Sequence, residues 1–392
     1  MEAKAFAGAL SKSVSWREAV KETVMKIKKD LNGRSADLVL CFVSETYEGF
    51  DPQVFVKALS DQLPYRVLIG CNSSGVIAGD KEVEMEPAFS LIAMHLPGVK
   101  LYPFSLSPDQ TAALAKPGAL INFLDVYPTD HPKFLLLADP ATADIMHLLQ
   151  GFNDGYKGLP VVGGMASGGV MGATNWLCLN DRVVLEGAVG VAMTGDIEFE
   201  VIVSQGCRPV GKPYIITRAE DNVLYELAGH SALEVVRELL DDLSPRDRQL
   251  AEHSLSVGLV MNEQQTAFKR GDFLIRNIVG FDPESGALMI GAHLKVGQTM
   301  QFQVRDAQTS SEDLRGLLEK LHAGNGHPKG GILVSCCGRG RGFYGKPDHD
   351  AAAIQAVRGP MPLAGFFANG EIGPIGQKNY VHGYTSSLVI LT

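Results

Sequence analysis

Val67-Leu68-Ile69-Gly70-Cys71-Asn72-Ser73-Ser74-Gly75 is the stretch on which the fold turns. Three apolar residues run unbroken into a G-x4-G loop, as in a buried strand that ends in a tight turn. Just upstream, Asp51-Pro52 opens a helix with proline at its tolerated first position. Val54, Phe55, Ala58, Leu59 and Leu63 form its expected inner stripe. Before the helix stands Leu38-Val39-Leu40-Cys41-Phe42-Val43, a continuous apolar run of buried-strand length.

The same order recurs twice. Phe134-Leu135-Leu136-Leu137, a helix over 141–156 and Pro160-Val161-Val162 lead to the loop Gly164-Met165-Ala166-Ser167-Gly168-Gly169. Gly331-Ile332-Leu333-Val334, a helix over 351–357 and Pro362-Leu363-Ala364 lead to Gly365-Phe366-Phe367-Ala368-Asn369-Gly370. An apolar strand follows each loop, at 90–94, 188–192 and 387–391. Three copies in one order make an internal repeat. The predicted fold class is α/β (mixed α+β), with mixed sheets flanked by helices in two closely packed domains, 1–205 and 206–392.

Other segments carry local signals. Ser15-Trp16-Arg17-Glu18 and Ser231-Ala232-Leu233-Glu234 read as capping boxes, and Asn32-Gly33 stops the first helix. Asp282-Pro283-Glu284-Ser285-Gly286 reads as a hairpin turn between 273–279 and 287–292. Met300, Phe302 and Val304 alternate with Gln301, Gln303 and Arg305, as in a half-buried strand. Ser310 or Ser311 is the expected cap of a helix bearing Leu314, Leu317, Leu318 and Leu321, with Gly324-Asn325-Gly326 as its stop.

Composition narrows the function. The net charge of -9 disfavours general binding to nucleic acid or anionic membrane. Six scattered cysteines, none spaced C-x-x-C, do not make a secreted disulfide framework. No leader or membrane span is visible, so a cytoplasmic location is expected.

The loops lack the Gly-Lys-Ser/Thr of a P-loop, and G-x-G-x-x-G is absent. Their glycines serve backbone geometry, or at least one loop, such as that of Asn72 and Ser73, touches a ligand. Asn369-Gly370-Glu371 places an amide and a carboxylate together, suited to an ammonium group or to local capping. Ser335-Cys336-Cys337-Gly338-Arg339-Gly340-Arg341 ends a buried strand, where open α/β sheets bind ligands. Its guanidiniums suit a carboxylate or phosphate, or form a solvated turn. Cys336 is a nucleophile or a small buried hydrophobe. Asp348-His349-Asp350 reads as a solvent-exposed loop, lacking further metal ligands. His382 near Tyr384 is structural or ligand-facing. Arg276, inside an apolar strand, needs a partner if buried. No cofactor or metal is expected.

These segments together resemble the FIST family. Ser335 to Gly340, Leu363 to Gly373 and His382-Gly383-Tyr384-Thr385 are similar to its C-terminal signature. Arg208 to Pro213, Tyr225-Glu226-Leu227 and Val304-Arg305-Asp306 also resemble family segments. Ser15-Trp16, the Leu38–Val43 run and Ile69 to Gly75 are similar to its N-terminal part. The resemblance implies a sensory, ligand-binding role, with small molecules such as amino acids as ligands. It supplies no catalytic residues. No F-box, kinase or other output module is recognisable, so the signal is expected to pass to a separate protein partner. The sequence expectation is a ligand carboxylate at Arg339 and an ammonium at Glu371; a protein-interaction scaffold and a thiol-dependent enzyme using Cys336 remain the alternatives.

Overall fold

The computed structural model describes residues 3–169, 174–322 and 328–392. They form two compact units, Met1–Val203 with Leu314–Thr392, and Ser204–Asp313.

The first unit is a threefold repeat. Each copy has a lead strand, two parallel strands joined by a helix, a hairpin and a closing strand. In the first copy these are Ala5–Ser11, Ala36–Ser44 and Tyr65–Ser73 around the helix Pro52–Gln62, the hairpin Gly75–Ala78 with Lys81–Glu84, and Phe89–His95. The second has Val99–Leu106, Lys133–Ala138 and Val161–Met165 around Ile145–Gly155, the hairpin Leu177–Leu179 with Arg182–Val184, and Ala188–Gly195. The third has Phe199–Gln205, Gly330–Cys336 and Leu363–Ala368 around His349–Arg358, the hairpin Glu371–Ile375 with Lys378–His382, and Thr385–Leu391.

Each copy builds most of one six-stranded sheet, in the order lead, closing, first parallel, second parallel. The last two places are taken by a hairpin from another copy. The first copy's hairpin pairs with Leu363–Ala368, the second's with Tyr65–Ser73, and the third's with Val161–Met165. The exchange is cyclic, so each sheet is completed by a neighbour.

The parallel strands are buried on both faces, which explains their unbroken apolar runs. One face joins a shared core containing Phe42, Ile69, Leu135, Val162, Val334 and Phe366 from all three sheets. The other packs under each copy's own helices: Val20, Ile27 and Phe55 in the first, Leu148 and Phe152 in the second, Leu318 and Ile354 in the third.

The first glycine of each loop is set by the parallel register. Gly70, Gly163 and Gly365 stand opposite Cys41, Leu136 and Leu333. A Cβ there would lie 2.3, 1.8 and 1.8 Å from the carbonyl oxygen of those partners. The equivalent loops are therefore Gly70–Gly75, Gly163–Gly168 and Gly365–Gly370. The second frame sits one residue earlier than the spacing suggested, because Gly163 and Gly164 are adjacent and only register tells them apart.

The second unit holds a closed ring of six strands: Thr299–Arg305, Tyr214–Glu220, Val223–Leu227, Ala287–Ile290, Phe273–Asp282 and Ser256–Val260, which pairs back to Thr299–Arg305. Helices Ala232–Asp242 and Pro245–Ser254 accompany it, around a core of Ile216, Leu224, Val257 and Phe302. In the chain it interrupts the third copy, between its lead strand and the helix Ala307–His322.

Several local expectations are corrected. The Ser15 and Ser231 hydroxyls cap nothing, and Ser231 Oγ donates to Gly286 O instead. Asp306, not Ser310 or Ser311, caps the helix that starts at Ala307, accepting from the N–H groups of Gln308 and Thr309. The second copy's helix starts at Ile145, where Asp144 accepts from His147 N. Val54 faces outward and Val56 takes its place, while Phe55, Leu59 and Leu63, with Ala58 beside them, pack inward as expected. Gln301 and Gln303 are buried rather than solvated: Gln301 Nε2 donates to Gly211 O at 2.8 Å, and the Gln303 side chain lies over Gly258. Gly324-Asn325-Gly326 lies outside the described residues. Among the described residues, no helix is long and apolar enough to cross a membrane.

Candidate functional site

The three glycine loops meet and bond to one another. Ser74 N donates to Ser167 Oγ at 3.0 Å, Ser167 Oγ bonds Phe367 O, and Asn369 N donates to Met165 O at 3.0 Å. Ser74, Ser167 and Asn369 are the fifth residues of the three equivalent loops, so one position of the repeat recurs at the junction. Cys337 reaches the same place. Its thiol lies 3.4 Å from Ser74 Oγ and donates to Ala368 O at 3.0 Å. Ser73 turns away, its hydroxyl donating to Gly75 O within its own loop. Asn369 is exposed.

Behind the junction lies Glu371, fully buried. Its Oε2 accepts from Thr385 Oγ1 at 2.7 Å and Thr385 N at 3.1 Å. Its Oε1 has no hydrogen-bond partner within geometric reach among the described residues. Burial raises the carboxyl to about 7, against the lowering effects of Thr385, Arg339 and the Cys336 thiol. Burial also pushes the Cys336 thiol well up, with the Glu371 charge adding to it. Such a thiol is a poor nucleophile at neutral pH. His382 is buried, its Nε2 facing Gly373 O at 3.0 Å.

Arg339 is buried too, and it is already engaged. Its Nε and Nη2 donate to the two Asp350 oxygens at 2.8 and 3.1 Å. Tyr384 O accepts from its Nη1 at 3.5 Å, and the guanidinium lies over the Tyr344 ring. Asp350 also accepts from Ser335 Oγ, and His349 Nδ1 lies 2.9 Å away. The segment 348–350 is therefore not an exposed loop. His349 and Asp350 are buried at the head of a helix, where the charge of Arg339 holds Asp350 ionised against its burial. A ligand carboxylate at Arg339 would have to displace Asp350. Arg276 lies in the second unit, its Nη1 donating to Ile275 O, with its guanidinium lowered to about 10 by burial.

Asn72 leads to an open hollow. Its Nδ2 donates to Thr174 O at 3.2 Å, and its Oδ1 accepts from Trp176 N at 2.9 Å. This amide fixes the rim of a pocket of about 270 Å³ at the C-terminal ends of the first copy's parallel strands. Ser44, Glu45, Tyr47, Phe50, Asn72 and Trp176 line it, with the uncharged Pro52, Gly168, Thr174 and Leu185. The rings form a stack, Tyr47 to Phe50 at 6.1 Å and Phe50 to Trp176 at 5.7 Å between centroids. Tyr47 is 6% exposed, and its hydroxyl has no hydrogen-bond partner among the described residues. Sequence reasoning passed over Tyr47 and Phe50. Two aromatics just past a buried strand were the available signal.

The family now follows from comparison. The FIST N domain matches residues 37–230 and the FIST C domain residues 232–374. The chain belongs to the FIST family. FIST domains are associated with sensory roles in signal transduction. An uncharacterized protein of Mycobacterium tuberculosis strain H37Rv is 38% identical over 376 residues, covering 95% of this chain and 96% of its own. An uncharacterized protein of Mycobacterium bovis is 37% identical over 375 residues, 95% of each chain.

Proposed function

We propose that this FIST protein is a small-molecule sensor of the cytoplasm that passes its signal to a separate protein. The observation that carries the reading is the pocket at Asn72. It has the features of a ligand site: concave, walled by aromatic rings, with a few convergent polar groups. It sits at strand C-termini, where α/β sheets receive ligands. A larger groove of about 710 Å³ runs along Gly8–Leu10 and Pro360–Leu363, but its Lys26 and Asp30 are paired with each other.

Amino acids belong in the ligand panel, with amines, carboxylates and neutral metabolites. Placement of an amino acid between Arg339 and Glu371 takes second place, since Arg339 would first have to leave Asp350. A thermal-shift screen tests the reading. A ligand at 100 times its Kd stabilises by about 2.7 kcal/mol. Silence across the panel would move the weight to a protein-interaction scaffold, with the glycine loops purely architectural.

A further inference from the structure

Six strands stand at the edges of the three six-stranded sheets, and each edge leaves a row of backbone N–H and C=O groups to be satisfied or shielded. Five of them carry a safeguard. Arg182–Val184 is only three residues long. In Lys81–Glu84, Glu82 N donates to Asp348 Oδ1 at 2.8 Å. In Lys378–His382, the Asn153 amide accepts from Asn379 N at 2.7 Å and donates to Asn379 O at 3.0 Å, as a neighbouring strand would. Val99–Leu106 carries exposed Lys100 and Pro103, and Phe199–Gln205 carries Glu200.

The sixth edge, Ala5–Ser11, has none of these. It is seven residues long, without charge or proline, and pairs on one side only, with Phe89–His95. Among the described residues, no side chain bonds to its backbone. Gly8 and Leu10 are half-exposed, and with Ala9 they line the groove of about 710 Å³. Lys26 and Asp30 from one helix, Asp80 from a hairpin turn, and Pro360 and Met361 line it as well. A groove of this kind admits a single extended segment. It does not admit the same edge of a second copy, which is enclosed by the same walls. The charge along it is uneven. Lys26 and Asp30 neutralise each other, whereas Lys81 is shared between Asp348 at 3.0 Å and Asp80 at 3.5 Å. The end at exposed Asp80 is therefore left with one carboxylate in excess.

We propose that Ala5–Ser11 is the docking edge for a protein partner, which adds an extended apolar segment as a further strand and sets a basic residue near Asp80. Main-chain hydrogen bonds hold such a segment, and alternate side chains select it. The inference does not depend on the pocket at Asn72; it locates the separate partner proposed above.

Phage-displayed heptapeptides selected on the full chain test it. Enriched sequences should alternate apolar residues with others and carry Lys or Arg near one end. A labelled synthetic copy of the leading sequence should bind in fluorescence anisotropy. N-methylating one of its two alternating sets of amides should weaken binding at least about tenfold, because main-chain hydrogen bonds are lost, while the other set tolerates it. Asp80→Lys, in an exposed turn, should weaken binding severalfold with unfolding by urea unchanged, and Leu10→Lys should also weaken it. No enrichment, equal binding by both N-methylated peptides, or unchanged binding in Asp80→Lys overturns the proposal. A dimer in sedimentation equilibrium that Leu10→Lys dissociates also overturns it, since the edge then takes a second copy. Failure here leaves the small-molecule reading to its own thermal-shift screen, and silence in that screen leaves this edge to the peptides.

Discussion

Replacing Arg339 with alanine tests whether this residue holds the fold or waits for a ligand. Its side chain and that of Asp350 are each 1% exposed, and two charge-assisted hydrogen bonds join them at 2.8 and 3.1 Å. Burial alone would push the guanidinium down, yet the facing carboxylate outweighs it and holds it above its usual range. Both groups are therefore charged. Deleting one leaves the other buried without its counter-charge, a loss of about 3–5 kcal/mol. Asp350→Ala should cost a similar amount. The double variant Arg339→Met, Asp350→Leu leaves neither charge stranded, so it should cost far less than the two single losses together. Urea unfolding reports this directly, since Trp16 and Trp176 are buried in the same unit. A ligand clamp predicts otherwise: Arg339→Ala would fold normally and lose only binding. Stability within about 1 kcal/mol of the parent, with additive single effects, would refute the structural reading.

Other outcomes follow from the same geometry. Gly365→Ala should destabilise by about 3 kcal/mol or more in the same unfolding assay, because its Cβ would lie 1.8 Å from Leu333 O. Iodoacetamide with peptide mass mapping should label exposed Cys337 before Cys41, Cys71 and Cys178, and slowly, since partial desolvation of its thiol against the neighbouring loops raises the pKa; rapid modification of Cys336 at neutral pH would revive the enzyme alternative. Glu371 contributes stability that is fully present below its unfolded value near 4.5 and is lost as pH rises through about 7, because the folded state holds the proton more tightly. The loss is on the order of 3 kcal/mol, and Glu371→Gln should flatten that part of a stability–pH profile measured by urea titration.

The repeat was legible because burial on two faces leaves a strong mark. Leu38–Val43, Phe134–Leu137 and Gly331–Val334 are apolar without interruption, and each became a parallel strand with a helix on one side and the shared core on the other. The hairpins left a weaker mark. Leu177–Leu179 and Arg182–Val184 are three residues each, too short for alternation to show, and their partner Tyr65–Ser73 lies far back in the chain. The site divides the same way. Asn72, Cys336, Glu371 and His382 were singled out from strand ends and loop chemistry, and the chain places all four near such ends. The Asp350 partner of Arg339 was not legible, because an intervening turn hides an eleven-residue pairing from helical or strand spacing. Ser15 and Ser231 carry the right letters for a cap, but the available oxygen at Gly286 drew the Ser231 hydroxyl elsewhere.

Cyclic exchange of hairpins explains why three copies are needed. A single copy ends with an unpaired edge at its second parallel strand, and such edges are liable to pair with other chains. The neighbour's hairpin covers that edge, so removing any copy would expose another copy's strand. The glycines answer a different constraint: each lies inside its copy's second parallel strand, where that backbone presses against the first. At Gly70, Gly163 and Gly365 the space between them has no room for a Cβ. Architecture therefore accounts for the three glycines. It does not account for the differences around them, since an architectural position demands the same residue type in every copy. Ser44, Cys336 and their counterpart Asp139 occupy equivalent strand ends, by the pairing of Ser44 with Ser73 and Cys336 with Ala368. In the first copy that end opens on the aromatic pocket; in the third it is closed by Arg339 and Asp350. The asymmetry of an otherwise repeated scaffold is where ligand specificity has room to reside.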